Sequence, residues 1–400
     1  MRFKDNLRLV PRIVSNRDRT PLYLIFFVTS RCNLRCDHCF FWKELNQAKN
    51  EISLKEIEKM TKNMDPLILL RMTGGEPFLR SDLPEIAGLF YKNAGLRNLG
   101  INTAGFFTER IVDNVIKILS NYDMDLEIVI SIDDLKEYHD ENRGVKGSYD
   151  NAVKTIKELK KLKERFPSLT VTTVTTVYAK NQDRLAEIFE DLERINPDFM
   201  NVNMIRGNPK DPMLKNTNVG NYMKLVNWVN EYNSKKLHNF YFNSVLKNKL
   251  LSNVVYKTFL TNENQGVTCV AADKMAVLYS EGDVNMCEML NDKLGNLKDF
   301  DFDFRKLWDT ENRRKIRNDM VARKCNCTHE CFMSASLFLD VKNFLRNLKR
   351  VAIMDELKNF NQTRDMYRNN IIVSNKIEQD KKIEQDKNIQ LNKISLKVIN

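Results

Sequence analysis

The sequence predicts an α/β protein in which six βα units form a parallel barrel or part-barrel, followed by a small α+β domain rich in cysteine. Three observations support this fold class. Short apolar runs alternate with amphipathic helices from residue 22 to about residue 205, β-hairpin patterns begin at Gly266, and no cysteine falls between residues 40 and 268. Such a regular alternation of strands and helices is typical of a parallel sheet with helical crossovers.

Six short runs rich in Ile, Val and Leu are the strand candidates of the barrel. Their composition suits parallel strands that are buried on both faces. The runs are Leu22–Thr29, Leu67–Met72, Asn98–Asn102, Leu126–Ile132, Leu169–Tyr178 and Asp198–Met204. A barrel of this kind places its chemistry at the carboxyl ends of its strands, so the residues after each run are the first candidates for a functional site.

The helices between these strands have recognisable starts. Ser53 and Glu56 have the spacing of a capping box, in which each side chain accepts a hydrogen bond from the other residue's backbone N–H. Ser148 opens a long helix with one apolar stripe. Asn181 is predicted to cap the helix that follows the fifth strand. Residues 213–265 read as a polar, mostly helical bridge.

The chain changes character beyond this bridge. The strand candidates Met275–Ser280 and Val284–Cys287 flank a Glu-Gly-Asp turn, which is a hairpin signal. A helix is predicted from about Asp303, and an amphipathic basic helix from Phe332 to Val351 that either packs on the domain or lies on a membrane surface. The sequence Lys-Ile-Glu-Gln-Asp-Lys, repeated over 376–387, predicts a frayed helix or a disordered tail.

These patterns divide the chain into five predicted segments. A basic arm precedes the barrel, and the bridge connects the barrel to the cysteine-rich domain. The segments are the basic arm 1–21, the core barrel 22–212, the helical bridge 213–265, the cysteine-rich domain 266–340, and a basic helix with a low-complexity tail 341–400.

Composition excludes several classes of protein. The longest apolar run, Leu22–Val28, has seven residues, whereas a membrane-spanning helix needs ~20. The first 20 residues carry charges throughout and no signal-peptide stretch, so we expect a cytoplasmic protein. Lys and Arg outnumber Asp and Glu by 64 to 53, a net charge of +11. That excess suits an anionic partner, but solubility is the simpler explanation and we do not expect a nucleic-acid partner.

The eight cysteines indicate metal binding. Disulfide frameworks belong to small secreted domains, whereas this chain is large, carries no export signal and groups its cysteines in two clusters. Thiols in this pattern predict metal sites in a reducing compartment. The predicted metal ligands are Cys32, Cys36, Cys39, Cys269, Cys287, Cys325, Cys327 and Cys331.

The first cluster is a C-x3-C-x2-C motif, Cys32-Asn-Leu-Arg-Cys36-Asp-His-Cys39, directly after the first strand. Zinc ribbons use paired C-x2-C knuckles and close their site with four ligands. Three thiolates on one short loop can instead hold three irons of a 4Fe–4S cubane and leave the fourth iron open to a non-protein ligand. The alternative is a zinc site completed by His38, which lies between two ligands and would strain the loop.

This motif and its position resemble the radical S-adenosylmethionine (SAM) enzymes. The resemblance implies a partial (βα)6 barrel, a 4Fe–4S cluster on these three cysteines, and SAM bound to the open iron. In that family an electron from the reduced cluster cleaves SAM, and the resulting 5′-deoxyadenosyl radical abstracts hydrogen from a substrate. His38 stands where the family usually has an aromatic residue, and we expect it to pack beside the adenine.

Residues at the other strand ends also resemble that family. The one Gly-Gly pair, in Thr73-Gly74-Gly75-Glu76-Pro77, is similar to the GGE motif that binds the SAM amino group, with glycines that let the backbone approach a ligand. Asn102-Thr103-Ala104-Gly105 resembles a Thr-Asn-Gly motif and departs from it at Ala104. Ser131-Ile132-Asp133 resembles the Ser-x-Asp that faces the SAM ribose and carboxylate. Arg143 is either a bidentate partner of the SAM carboxylate or a solvated loop arginine.

The resemblance therefore implies a defined set of SAM-binding residues and no assigned catalytic residue. The predicted SAM-binding residues are Gly74, Gly75, Glu76, Ser131, Asp133 and Arg143.

The second cluster resembles the auxiliary-cluster modules of the same family, called SPASM and, in a shorter form, twitch. Twelve residues separate Cys269 from Gly282 and four more separate Gly282 from Cys287, as in those modules. Only three cysteines follow, Cys325, Cys327 and Cys331. The resemblance implies one auxiliary 4Fe–4S cluster of the twitch type, held by Cys269, Cys287 and two of these three. A structural zinc site with four cysteines is the alternative, and His329 is predicted to be an exposed loop histidine.

The predicted function is that of a radical SAM enzyme, an oxidoreductase or transferase supplied with electrons by a flavodoxin- or ferredoxin-type protein. The predicted substrate is a small molecule or a glycan- or lipid-linked precursor. A peptide- or protein-modifying maturase is the alternative, and the short segment before Leu22, with no room for a leader-peptide domain, argues mildly against it. Two other classes stay open: an iron–sulfur electron carrier or redox sensor, which would not need the barrel, and a zinc-bound interaction protein.

Overall fold

The computed structural model describes residues 20–47, 50–236, 242–343 and 345–346. Three predictions fall outside these residues: those for the basic arm before residue 20, for the end of the helix towards Val351, and for the repeat over 376–387.

Nine strands form one sheet. In chain order they are β1 (Tyr23–Thr29), β2 (Leu69–Gly74), β3 (Asn98–Thr103), β4 (Asp125–Ser131), β5 (Leu169–Val177), β6 (Phe199–Met204), β7 (Met275–Leu278), β8 (Asp283–Asn285) and β9 (Lys293–Asn296). Their spatial order is β6-β5-β4-β3-β2-β1-β7-β8-β9. Strands β1 to β6 pair in parallel and in chain order. This confirms the six predicted strands and the α/β class, with the described sheet open as in a partial barrel.

Helices follow the strands of this parallel half and continue through the bridge. The helices of the described residues are α1 (Leu54–Lys62), α2 (Leu83–Asn93), α3 (Thr108–Asn121), α4 (Lys136–Arg143), α5 (Ser148–Leu162), α6 (Leu185–Ile195), α7 (Val219–Lys235), α8 (Phe242–Thr261), α9 (Phe304–Trp308), α10 (Glu311–Ala322) and α11 (Glu330–Phe338). The predicted capping box is present at α1, where Glu56 Oε2 accepts from Ser53 N at 2.7 Å.

The carboxyl ends of the parallel strands meet at one edge of the sheet. Thr29 of β1 lies opposite Gly74 of β2, and Ser131 of β4 lies opposite Val174 of β5. All seven residues of β1 are buried, as expected for a parallel strand covered on both faces. The loops that leave this edge carry the residues predicted to form the functional site.

The cysteine-rich region extends the same sheet. The predicted hairpin is confirmed, because β7 and β8 pair antiparallel. The sequence did not predict that β7 also pairs in parallel with β1, in register from Tyr23 with Met275 to Phe26 with Leu278. It also missed β9, whose four residues include Gly295 and give only a weak strand signal.

The helix predicted from Phe332 is interrupted in the structure. Helix α11 ends at Phe338, and helical backbone resumes in the described residues 341–343 and 345–346. Its buried residues include Phe332, Met333, Ser336 and Leu337, so α11 is an interior helix and not an amphipathic surface helix. Among the described helices, none combines the length and the apolarity that crossing a membrane requires.

Candidate active site

The loop of the first three cysteines follows β1 and is held by the end of α4. The backbone N–H of Arg35 donates to the carbonyl of Arg143, and that of Asp37 donates to the carbonyl of Asn142, both at 3.0 Å. These bonds fix the middle of the loop from one side. Asn142 was not identified from the sequence, because one of its contributions is a backbone carbonyl and the other is a side-chain contact with His38, 104 positions away.

Two hydrogen bonds with the Asn46 side chain hold the start of the loop. Cys32 N donates to Asn46 Oδ1 at 2.9 Å, and Asn46 Nδ2 donates back to the Cys32 carbonyl at 3.0 Å. Asn46 adopts a left-handed backbone conformation with φ of 57°, which asparagine tolerates better than most residues. That tolerance is the signal by which Asn46 could have been noticed.

The three thiols of this loop are half-buried and free. Burial raises the pKa of Cys32 and of Cys39 to about 12. Burial also raises the pKa of Cys36. Arg143, whose Nη1 lies 3.5 Å from Cys36 Sγ, opposes this rise. Iron binds the thiolate form, so cluster assembly here releases protons. Three thiols on one short loop fit a cubane held at three of its irons.

The Gly-Gly pair brings the end of β2 directly against this loop. Gly75 N donates to the Thr29 carbonyl at 2.9 Å, and Glu76 N donates to the Arg31 carbonyl at 2.8 Å. A Cβ at Gly74 would overlap the carbonyl oxygen of Thr29, and one at Gly75 that of Arg31. The sequence attributed these glycines to a close ligand, whereas the described contact is between two segments of the chain.

Glu76 is buried and connects the ends of β2 and β3. Its Oε1 accepts from Thr103 Oγ1 at 2.8 Å and from Phe78 N at 3.2 Å, and its Oε2 accepts from Ala104 N at 2.9 Å. Burial raises the pKa of Glu76, although these hydrogen bonds oppose the shift. The contact with residue 104 uses its backbone, so the departure from the family motif at Ala104 leaves it intact.

Asp133 and Arg143 form a buried ion pair beside the cysteine loop. Arg143 Nη2 donates to Asp133 Oδ2, and Asp133 Oδ1 accepts from Thr176 N at 2.9 Å. Burial raises the pKa of Asp133, but the charges of Arg143 and of two histidines outweigh it and lower the pKa to about 2. Arg143 is 6% exposed, so it is not a solvated loop arginine. Its buried Nε has no hydrogen-bond partner among the described residues, which fits a carboxylate ligand.

Asn181 does not cap a helix, and that prediction is wrong. Helix α6 begins four residues later, at Leu185. The fully buried Asn181 side chain instead joins β4 to β5: its Nδ2 donates to the carbonyls of Asp133 at 2.7 Å and Thr176 at 2.8 Å, and its Oδ1 accepts from Tyr178 N at 2.9 Å. Asparagine suits this position because its side-chain amide can donate two hydrogen bonds and accept another.

The remaining predicted residues lie at the same edge. Ser131 ends β4 and is half-buried. His38 stacks on Tyr178 with ring centroids 5.3 Å apart and lies 3.7 Å from Asp133. Burial lowers the pKa of His38, which favours a neutral ring. Together with the cysteine loop, Glu76 and Arg143, these side chains form one cluster at the carboxyl ends of β1 to β5.

The five later cysteines differ in the groups that shift the pKa of their thiols. Burial and the neighbouring thiols raise the pKa of Cys287 to about 11 and that of Cys327 to about 12, and they also raise the pKa of Cys325. The interacting thiols include Cys269 in each case. For Cys331, burial is outweighed by a hydrogen bond and charge from His329 and by Arg206, so its pKa is lowered. Among the described residues no three His, Cys, Asp or Glu side chains surround a single metal-ion position.

His329 is buried, so the prediction of an exposed loop histidine is wrong. It is 2% exposed, and its Nε2 lies 2.6 Å from Glu288 Oε2. Arg206 Nη1 lies 3.5 Å from His329 Nδ1. The sequence missed Arg206, Glu288 and Glu330; the only available signal was that each glutamate adjoins a cysteine.

A central cavity of about 240 Å³ lies on the barrel side of this group. Residues of β1 to β6 line it together with residues of α7, α8 and α11. Its polar lining includes Tyr23, Arg71, Asn102, Arg206, Glu330 and Cys331. A second cavity of about 380 Å³ adjoins Cys327 and His329, and Arg206 borders both. Asn102 lines this cavity and directly precedes Thr103, the donor to Glu76.

Comparisons with known proteins agree with this geometry. The model of the radical SAM superfamily matches residues 26–192. Fe-coproporphyrin III synthase of Methanosarcina barkeri is 31% identical over 159 residues, 38% of this chain and 37% of that protein. The subtilosin biosynthesis protein AlbA of Bacillus subtilis is 31% identical over 148 residues, 36% of this chain and 31% of that protein. The chain thus spans about a third of the length of these relatives.

The fold also resembles solved structures. Native anSMEcpe with bound AdoMet and the Cp18Cys peptide superposes with a TM-score of 0.54 and 17% identity, covering 83% of this chain and 99% of that one. A likeness at this identity concerns the fold, and it extends beyond residues 26–192 into the cysteine-rich region.

Proposed function

Because residues 26–192 are a radical SAM domain, we propose that this chain is an enzyme that cleaves S-adenosylmethionine reductively and removes a hydrogen atom from a substrate. The observation that carries the proposal is the clamped loop of Cys32, Cys36 and Cys39 at the carboxyl end of β1, next to the buried Asp133–Arg143 pair. When bound, a 4Fe–4S cluster supplies the electron and SAM supplies the 5′-deoxyadenosyl radical.

The residues around the loop have distinct proposed roles. The three thiols hold the cluster, and the unpartnered Nε of Arg143 points to a bond with the SAM carboxylate. Glu76 and the backbone of Gly74 and Gly75 form the site for the SAM amino group, and Ser131 with Asp133 faces the ribose. The Asp133 charge keeps Arg143 buried and oriented, since an unpaired guanidinium would be costly in this position.

We further propose that residues 266–340 hold one auxiliary 4Fe–4S cluster on Cys269, Cys287, Cys325 and Cys327. The support is that these four thiols interact with one another. Cys331 lines the central cavity instead. A relative named for bacteriocin biosynthesis and a similarly folded protein with a bound peptide support a peptide- or protein-modifying reaction as the second candidate beside a small-molecule or glycan- or lipid-linked substrate. A cytoplasmic location with a flavodoxin- or ferredoxin-type reductant completes the proposal.

Anaerobic reconstitution followed by a SAM-cleavage assay tests this function. The wild-type protein is expected to hold about eight irons, four per cubane, and to release 5′-deoxyadenosine with dithionite. Replacing Cys32, Cys36 and Cys39 together by Ala should abolish cleavage and leave about four irons. Cleavage by the triple variant would show that the site is misassigned. About four irons and one zinc in the wild type would show that the second site is structural.

A further inference from the structure

The second cavity, of about 380 Å³, has a lining that favours an anion. The end of β6, the end of α8 and the loop of Cys327 all contribute to its wall. Lys215 and Arg206 line it, whereas Asp and Glu are absent from its lining among the described residues. The central cavity differs, because Glu330 forms part of its wall. An anionic group would therefore meet a more favourable potential in the second cavity.

Lys215 is the cation that such a group can reach. The residue is exposed, and its Nζ donates to the Gly207 carbonyl at 3.2 Å, which holds the ammonium at the cavity wall. Lys215 forms no ion pair with a described residue. Because an ammonium has three donors, two of its N–H groups stay available to a ligand. Arg206 differs, since its guanidinium lies 3.5 Å from Glu330 and 3.9 Å from Glu288 and already shares its charge with them.

Thr328 supplies a neutral donor in the same cavity. It lines the cavity and is half-buried, so it keeps accessible surface. Its hydroxyl has no hydrogen-bond partner in the described part of the chain. A ligand can therefore bond to Thr328 without displacing an existing hydrogen bond.

The charge and the apolar surface of the cavity define the class of ligand. Lys215 contributes one unit of charge without a counter-charge, which a carboxylate balances. A phosphate carries about −1.5 to −2 and would keep part of its charge unbalanced. The rest of the lining includes four apolar side chains, which suit a ligand with an apolar body next to its carboxylate. These side chains are Met204, Ile205, Phe259 and Met289.

We propose that the second cavity binds a carboxylate of the substrate at Lys215, with Thr328 as a further donor and the apolar neighbour of the carboxylate against Phe259 and Met289. The proposal rests on the proposed function, since it takes the cavity beside the cysteine-rich region as part of the substrate site. It narrows the substrate to a carboxylate with an apolar body. Such a group is either the carboxyl end of a peptide or a small organic acid.

Binding of small probes to the reconstituted full-length protein tests this assignment. The probes are 4-methylpentanoate, its neutral amide, 3-methylbutyl phosphate and N-acetyl-leucine, and ligand-observed NMR gives their dissociation constants. The acid should bind at least about threefold more tightly than its amide, and the phosphate no more tightly than the acid. Tighter binding of N-acetyl-leucine than of 4-methylpentanoate would identify the carboxyl end of a peptide as the source, and the reverse order a small acid.

Two variants and a matched control locate the bound carboxylate. Lys215→Gln should weaken binding of the acid roughly three- to tenfold and leave binding of the amide unchanged, because it removes the charge. Thr328→Val removes one hydroxyl at nearly constant volume and should weaken binding about two- to fivefold. Lys210→Gln changes an exposed lysine of the same segment that lines neither cavity, and it should leave binding unchanged.

Three results would overturn the assignment. They are equal binding of the acid and its amide, tighter binding of the phosphate, and binding of the acid that Lys215→Gln affects no more than Lys210→Gln does. Circular dichroism and iron content confirm that each variant is folded and loaded. The proposed function fails separately: loaded wild-type protein without SAM cleavage would refute it, whereas binding of the acid that depends on Lys215 would still support the carboxylate site.

Discussion

Replacing Asp133 by Asn should destabilise the fold strongly, because it leaves the Arg143 guanidinium buried without its counter-charge. Asp133 is fully buried and Arg143 is 6% exposed, so solvent screens neither. Removing one partner of a buried ion pair costs about 3–5 kcal/mol. The shift of the Asp133 pKa from 3.8 to about 2 corresponds to about 2–3 kcal/mol in favour of the charged form.

The lowered pKa of Asp133 also predicts the direction of the pH dependence. The pKa of Asp133 is lower in the folded protein, so its contribution is complete above pH 3.8, the value without the fold, and is lost as the pH falls through about 2. Urea unfolding of the apo protein, followed by circular dichroism across this range, measures both effects. Wild type should lose this increment of stability on acidification, whereas Asp133→Asn should lack it.

A double-mutant cycle separates the pair from other effects. Arg143→Met removes the buried cation, so adding it to Asp133→Asn should recover part of the lost stability. The reasoning would be refuted if Asp133→Asn cost less than about 1 kcal/mol, the range of an exposed ion pair, or if the two variants were additive. Iron content gives a second readout, since the Arg143 carbonyl holds Arg35 of the cysteine loop.

Three further outcomes follow from contacts at the same edge of the sheet. Glu76→Gln must turn an NH2 group towards a backbone N–H such as that of Ala104, so it should lower the free energy of unfolding in urea by ~1–3 kcal/mol. It should also weaken SAM binding in equilibrium dialysis, and unchanged values in both assays would contradict this. Gly75→Ala should reduce iron loading to about four per chain, because the new Cβ meets the Arg31 carbonyl; full loading would show that the loop yields. Asn181→Ala should cost more than the ~1 kcal/mol of a lost helix cap, since three buried hydrogen bonds disappear; a smaller loss would show that these bonds contribute little to stability.

The parallel half of the fold was predictable because its signals are local. A strand buried on both faces must be apolar throughout, so Leu22–Thr29 could be recognised from its composition, and the structure places β1 at Tyr23–Thr29. The capping box at Ser53 and the hairpin around Gly282 are equally local. Each depends on residues within a few positions of one another, where sequence spacing fixes geometry.

The predictions that failed concern side chains whose partners are distant in the chain. Asn181 resembles a helix cap in its own neighbourhood, yet its carbonyl partner at Asp133 lies 48 positions away. His329 lies in a polar stretch of the sequence, but in the fold it is buried and forms an ion pair with Glu288, 41 positions away. Nothing in the local sequence distinguishes these side chains from solvated ones. For the same reason the cysteine spacing could not distinguish Cys331 from Cys327, although in the structure they line different cavities.

The pairing of β7 with β1 makes the cysteine-rich region part of the barrel and not an appended module. The amino half of β1 hydrogen-bonds to β2 on one side and to β7 on the other, and its carboxyl end leads into the first cysteine loop. Cutting the chain at the predicted boundary of residue 266 would expose the edge of β1 to pairing with other chains. It would also remove α11, which supplies Glu330 and Cys331 to the cavity wall. The two cysteine groups are therefore connected through one strand, because β1 leads into the first cysteine loop and pairs with β7 of the cysteine-rich region.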